Sequence, residues 1–223
     1  MNPLPDFNAV IFDLDGLILD TESSYFAAWQ SAADSLGYHI SDTFCISLSG
    51  LPFAQIEIKL AQYFPVTFPF KQFYSLSSHI WRENADREGI AVKKGVHELL
   101  QVLREYEIPY CLATNSPEFN ARECLEYAAV ENLFSAMVCR DHVQEPKPAA
   151  DLFLQAARTL QQPITSCVVV EDSLTGLLAA RNANAFSVLV PSMPDEGGQT
   201  RLLADFVVND LSELSVLVQD KLG

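Results

Sequence analysis

The chain has 223 residues, which allows one large domain or a main domain carrying a smaller insert. Hydrophobic residues make up 49% and charged residues 19%, enough apolar material for a core and too much for a disordered chain. With 14 basic and 29 acidic side chains the net charge is −15, so nothing draws nucleic acid or an anionic membrane surface to it, and an anionic ligand needs positive charge supplied locally.

The first apolar run, Ala9-Val10-Ile11-Phe12, reads as a buried strand that ends in Asp13-Leu14-Asp15-Gly16. From Glu22 to Leu36, the residues Tyr25, Phe26, Trp29, Ala32, Ala33 and Leu36 share one stripe, which predicts an amphipathic helix stopped by Gly37. Two further helices are expected near Phe53–Phe64 and Phe70–Arg87, parted by the proline-containing Pro65–Pro69 break. No strand signal occurs between Leu17 and Gly95, so this stretch reads as an all-helical insert.

After Gly95 the rhythm changes. Val96, Leu99, Leu100 and Leu103 follow helical spacing, and Tyr110–Ala113 is a short apolar strand. Helix is expected over Phe119–Ala129, a weaker strand over Ala136–Cys139, helix over Leu152–Leu160 and the most apolar strand over Ser166–Val170. Leu174, Leu177, Leu178 and Arg181 space out a helix ending at Asn184, a residue tolerant of the left-handed cap. Strands at Phe186–Val190 and Phe206–Val208 and a helix over Leu211–Leu222 close the chain. Alternating units with continuous apolar strands predict an α/β fold, a Rossmann-like parallel sheet flanked by helices, with the helical insert placed after the first strand.

The five cysteines (Cys45, Cys111, Cys124, Cys139 and Cys167) are scattered, without a Cys-x-x-Cys pair, which suggests neither a disulfide framework nor structural zinc. Cys111 and Cys167 sit in apolar runs and read as small buried hydrophobes. The four histidines lack metal-ligand spacing, and His142, beside Asp141, reads as surface. Met1–Asn8 has no basic stretch of the kind that opens a secretory leader, and no run reaches bilayer length. A cytoplasmic protein is expected.

Ligands of open parallel sheets bind beyond the carboxyl ends of the strands. The polar residues there are Asp13 and Asp15 after the first strand, Thr114, Asn115 and Ser116 after the Tyr110 strand, and Glu171, Asp172 and Ser173 after the Ser166 strand. Lys147, in Glu145-Pro146-Lys147-Pro148, precedes a helix downstream of the Ala136 strand. Each of these alone has an ordinary reading: Asp13 and Asp15 as turn or helix-cap residues, Thr114-Asn115-Ser116 as a loop, Lys147 as a solvated lysine on a rigid turn. Gathered on one rim, the acids repel one another and call for a cation; hard oxygen ligands with room for substrate oxygens suit Mg²⁺. A carboxylate also free to attack suggests an aspartyl-phosphate.

In this order, Phe12-Asp13-Leu14-Asp15-Gly16, Leu112-Ala113-Thr114-Asn115-Ser116, Lys147-Pro148 and Val170-Glu171-Asp172-Ser173 resemble the four motifs of the haloacid dehalogenase superfamily of phosphotransferases. The resemblance spans Ala9 to Asp210. The insert after Gly16 resembles the small helical cap of the subclass that includes β-phosphoglucomutase and phosphoglycolate phosphatase. It implies a core domain over 1–16 and 95–223 and a cap over 17–94. The resemblance makes Asp13 the nucleophile and Asp15 the general acid and base, which must carry a proton for the first step. Thr114 and Asn115 (the latter through its amide) would hold the phosphoryl group, and Lys147 would bridge Asp13 to the phosphate. Asp13, Asp172, Glu171 through water, and the backbone carbonyl of Asp15 would hold Mg²⁺.

The chain departs from the family pattern at Lys94, where relatives usually carry the hinge proline, and at Pro146, where they usually carry glycine. It departs again after Gly50, where Leu51, Pro52 and Phe53 cannot grip a second phosphate. A phosphatase acting on a small phosphomonoester is therefore expected, as a monomer whose insert covers the cleft unaided. The rivals are a sugar phosphomutase, a metal-free 2-haloacid dehalogenase, which Asp15 and the Glu171-Asp172 pair oppose, and a non-enzymatic phospho-aspartate signalling module, which the long insert opposes.

Overall fold

A computed structural model describes residues 4–51, 53–192 and 198–223 of the protein; Pro52 lies outside them. Its strands are β1 (Ala9–Phe12), β2 (Tyr110–Ala113), β3 (Met137–Val138), β4 (Cys167–Glu171), β5 (Phe186–Leu189) and β6 (Phe206–Val207). They form one six-stranded sheet in the order β3-β2-β1-β4-β5-β6. Every pairing is parallel. The doubly wound architecture expected from alternating strand and helix signals is the one observed.

Why the sheet is covered on both faces can be followed along β1. Val10 and Phe12 point into one apolar layer, with Leu99, Leu100 and Leu103 of α5 (Val96–Glu105) and Leu211, Leu214 and Val218 of α10 (Leu211–Leu222). Ala9 and Ile11 point into the other, with Leu152, Phe153 and Ala156 of α7 (Asp151–Thr159) and Ala179, Ala180 and Ala183 of α8 (Leu174–Ala183). That is the period-two alternation of a strand whose faces are both buried. The register sets Phe12 beside both Leu112 and Val170, so the carboxyl ends of β1, β2 and β4 finish level and deliver their next residues to one rim.

Between β1 and α5 lie α1 (Thr21–Ser35), α2 (Asp42–Ile46), α3 (Phe53–Tyr63) and α4 (Phe70–Glu88). They enclose an apolar cluster of their own, built on Ala32, Ile40, Leu48, Leu60 and an aromatic knot in which Phe64 stacks on Phe68 at 3.6 Å. Trp29 and Phe26 pack against this cluster, as the helical stripe required. Where the insert leaves and rejoins the sheet domain, the two passages pair: Leu19 bridges Val92, Lys93 N–H donates to the Ile18 carbonyl at 2.9 Å and Asp20 N–H to that of Ala91 at 2.8 Å. The insert is also fastened laterally to α6 (Glu118–Tyr127). Tyr25 stacks on Trp81 at 5.0 Å, Trp81 meets Tyr127 edge-on, and Arg82 grips Glu123 at 2.7 Å.

Some elements depart from the expectation. The short helices α2 and α9 (Gln199–Leu203) are too brief to show an amphipathic period, and α2 depends on Ser41, whose hydroxyl accepts the Phe44 N–H. Ser166 belongs to a turn of 3₁₀ helix before β4, and the strand runs one residue further to take in Glu171. Asn184 adopts φ 59° at the end of α8, the left-handed cap expected of it. All five cysteines are free and buried. Among the described residues no helix is long and apolar enough to cross a membrane.

Candidate active site

The level strand ends bring Asp13, Lys147, Glu171 and Asp172 together. Lys147 Nζ donates to Asp13 Oδ1 at 2.5 Å and to Glu171 Oε1 at 2.6 Å. It is only 4% exposed and sits over the Phe153 ring, so it is no solvated turn lysine. A buried charge survives only when paired, and here both partners are carboxylates. Burial works against the ammonium, but Asp13 and Glu171 more than offset it and hold the lysine above its ordinary pKa.

The Lys147 loop is set from the neighbouring strand. Asn115 Oδ1 accepts the Lys147 backbone N–H at 2.9 Å, and Asn115 Nδ2 donates to the Lys147 carbonyl at 3.2 Å. The Asn115 side chain is thus engaged with the lysine's backbone. Glu171 is fixed just as firmly. Its Oε2 accepts from the backbone N–H of Asp172 and Ser173 and from Ser173 Oγ, while Ser173 Oγ accepts from Gly176 N–H to cap α8. Gly176 has to be glycine, because an added Cβ would fall 1.8 Å from the Glu171 carboxyl carbon.

Asp15 is held apart from this group. Its Oδ1 accepts from Thr21 Oγ1 at 2.8 Å, and its Oδ2 accepts from Thr114 Oγ1 at 3.1 Å and Ser116 Oγ at 2.8 Å. Hydroxyls donate to a carboxylate and, by rotating, accept from a carboxylic acid, so this cradle suits a group that gains and loses a proton. Thr114, only 1% exposed, spends its hydroxyl on Asp15 and accepts the Ser116 N–H with the same oxygen. Gly16, at φ +83°, turns the chain beneath Asp172; a Cβ there would come within 2.2 Å of Asp172 Oδ2.

Asp13, Glu171 and Asp172 each offer an oxygen within 4.8 Å of the others. Asp13 and Glu171 are buried and share one ammonium beside the half-buried Asp172, and the excess charge registers at Asp13 and Asp172. Burial pushes Asp13 up to about 8, with Lys147 pulling back and Glu171 and Asp15 adding repulsion. Burial, then Glu171 and Asp13, raise Asp172 well above the usual carboxylate range, against a hydrogen bond from Ser192. All-oxygen donors with surplus negative charge fit Mg²⁺, which relieves that repulsion. Neither Asp15 carboxylate oxygen belongs to this set. A second group, Glu118, Asp141 and His142, lies at the exposed surface. There His142 Nδ1 accepts from the Cys139 N–H, which leaves Nε2–H to donate to Glu118.

Sequence reasoning gave no role to Thr21, Ser116 or Ser173. Thr21 is fully buried at the start of α1, and its signal was a hydroxyl in the short polar run Asp20-Thr21-Glu22 between two apolar segments. Tyr25, from the helical stripe of the insert, is taken up by Trp81 and by a contact of its hydroxyl with Cys124 Sγ.

Residues 10–190 match the model of the haloacid dehalogenase-like hydrolases. The chain is 30% identical over 175 residues to a phosphorylated carbohydrates phosphatase of Thermotoga maritima, covering 78% of this chain and 81% of the relative. It is 31% identical over 190 residues to the fructose-1-phosphate phosphatase YqaB of Escherichia coli, covering 82% of this chain and 95% of that one. The crystal structure of a putative beta-phosphoglucomutase from Thermotoga maritima superposes with a TM-score of 0.81 at 26% identity, over 96% of this chain and 99% of the other. The matched stretch holds Asp13, Asp15, Thr114, Lys147, Glu171 and Asp172 together with the inserted helices, and on this ground the chain belongs to the haloacid dehalogenase-like hydrolase family.

Proposed function

We propose that this enzyme is a Mg²⁺-dependent phosphatase that hydrolyses a small phosphomonoester, a sugar phosphate or similar metabolite, through an aspartyl-phosphate on Asp13. The observation that carries the reading is the separation of two aspartates only two residues apart. Asp13 is gripped by a buried ammonium among acids close enough together to hold a metal, and Asp15 is cradled by three hydroxyls. Two like groups in unlike surroundings take unlike roles. The relatives' names, two carbohydrate-phosphate phosphatases, favour the same substrate class.

In this reading an Asp13 oxygen attacks phosphorus in line while the bond to the leaving oxygen breaks, and that oxygen takes its proton from Asp15. Asp15, now a carboxylate, removes a proton from water, whose oxygen attacks the phosphoryl group; inorganic phosphate leaves and Asp13 is regenerated. Lys147 orients Asp13 and neutralises charge on the transferring group, and Thr114 and the amide of Asn115 border the phosphoryl pocket. Asp13, Asp172, Glu171 and the Asp15 backbone carbonyl are the groups to hold Mg²⁺, which supplies positive charge for the phosphoryl oxygens when bound. The helices of residues 17–94 act as a cap over the core formed by 1–16 and 95–223, closing to exclude water.

The test is phosphate release from a panel of sugar phosphates, phosphoglycolate and nucleotides, with Mg²⁺ and with chelator. Turnover that needs Mg²⁺ and vanishes in a folded Asp13→Asn variant is expected; near-normal turnover in that variant would sink the assignment. A sugar phosphomutase is the second reading, favoured by the likeness to the putative beta-phosphoglucomutase. It requires isomer formation dependent on a bisphosphate. Leu51 and the 56%-exposed Phe53, which offer no charge to a second phosphate, speak for hydrolysis.

A further inference from the structure

β5 lies beside β4 in the sheet, and the chain leaving it is held on both sides. Val190 N–H donates to the Glu171 carbonyl at 2.8 Å, and the Leu189 carbonyl accepts from Val208 N–H at 3.0 Å. Pro191 comes next; its ring fixes its own φ and favours extended backbone at Val190. This stiff step carries Ser192 onto the rim already supplied by β1, β2 and β4.

Asp13 and Glu171 are buried and held in place, both by Lys147 and the second also by Ser173. Asp172 is half-buried and draws its donor from elsewhere, the Ser192 hydroxyl. Gly16 makes that meeting possible. A Cβ on it would fall 2.2 Å from Asp172 Oδ2 and 3.4 Å from Ser192 Oγ, so only the bare backbone of the turn fits beside the pair. Three separate segments, the turn after β1, the end of β4 and the passage out of β5, thus converge on one carboxylate.

We propose that Ser192 is a positioning residue of the candidate metal centre, its hydroxyl holding the Asp172 carboxylate turned towards Asp13 and Glu171. The inference rests on the Mg²⁺-dependent reading of this site and extends it to a further strand end. Asp13 and Glu171 keep their orientation through buried partners, whereas a half-buried aspartate without a donor is free to swing its carboxylate towards water. The two oxygens of a carboxylate offer about four acceptor positions, so the bond from Ser192 leaves room for a cation. Hydrogen-bond partners of this kind orient ligating carboxylates, and losing one weakens metal binding about 10–100-fold.

The experiment measures the Mg²⁺ Kd of the full chain by titration calorimetry, without substrate, in wild type, Ser192→Ala, Ser192→Val and Ser192→Thr. Circular dichroism and thermal unfolding in chelator establish that each variant is folded. The Kd should rise about 10–100-fold in Ser192→Ala and Ser192→Val. Threonine has the shape of valine and keeps the hydroxyl, so Ser192→Thr should bind Mg²⁺ about fivefold or more tightly than Ser192→Val, whatever its added methyl group costs. In turnover, the Mg²⁺ concentration for half-maximal activity should rise in step with the Kd, while kcat at saturating Mg²⁺ stays within about threefold of wild type. If the alanine and valine variants bind Mg²⁺ within about twofold of wild type, or if threonine binds no more tightly than valine, the role of Ser192 is overturned while the phosphatase stands. A folded wild type that binds no Mg²⁺ overturns the metal-dependent reading, and the role of Ser192 falls with it.

Discussion

The carboxamide of Asn115 clasps the backbone of Lys147 from both sides, accepting its N–H at 2.9 Å and donating to its carbonyl at 3.2 Å. The loop after β2 thereby fixes the loop that carries the buried Lys147 ammonium, across 32 residues of chain. Reaction geometry tolerates little slack, since about 1 Å of misplacement costs on the order of a hundredfold in rate. Asn115→Ala should lower kcat by roughly that factor while leaving the Mg²⁺ concentration for half-maximal activity within a few-fold, because Asp13, Glu171 and Asp172 keep their places. A Mg²⁺ titration of turnover checks both halves, and unchanged kcat would show that the clasp does not position the lysine.

Lys147 is also a structural keystone. Removing one partner of a buried ion pair costs about 3–5 kcal/mol, because the other charge stays buried and unpaired. Lys147→Met keeps a long apolar side chain beside Phe153 but removes the ammonium that lies over its ring and leaves Asp13 and Glu171 without a cation. The variant should lose stability by about that amount in chelator, and Mg²⁺ should raise its melting temperature more than it raises that of wild type. Thermal unfolding with and without the metal decides; equal shifts in the two proteins would mean that the lysine and the metal do not share the same carboxylates.

Which of these relationships could be read from the chain depends on how local they are. β1 and α10 were legible to the residue because a continuous apolar run and a long helical period announce themselves. The end of β4 was not, because Glu171 is an acid inside a strand, tolerated only through Lys147 and the amides that follow it. The residues of the site were legible as strand-end polar groups in a familiar order. Their partners were not. Thr21 reaches Asp15 because the turn at Gly16 and the pairing of Leu19 with Val92 fold the chain back, and neither leaves a periodic trace.

The crowding of acids has a consequence for pH. Asp13 is pushed up to about 8 and Asp172 is raised in the same direction, so the folded metal-free protein holds protons that the unfolded chain has released by about pH 4 to 5. Stability contributed by such a group is complete below its unfolded pKa and is lost as pH rises through its folded one. In chelator the melting temperature should therefore decline between pH 5 and about pH 8, with Mg²⁺ flattening the decline. Melting curves across that window test it, and a metal-free protein that gains stability towards pH 8 would contradict the charge count at the site.

Thr21 offers the most selective probe of Asp15, the proposed acid and base, because it touches that carboxylate from the insert side and is fully buried. Thr21→Val preserves the shape but strips Asp15 Oδ1 of its donor, leaving a polar atom unpaired at a cost of about 1–3 kcal/mol. If Asp15 moves the proton to and from the leaving oxygen, the loss should appear in kcat, about tenfold or more, with KM nearly unchanged, and in a shifted pH–rate profile. Thr21→Ser restores the hydroxyl with a smaller side chain and should recover most of the rate. A fall in KM-dependent binding alone, or a Ser variant no better than the Val one, would show that Thr21 packs the insert against the sheet domain without serving the proton at Asp15.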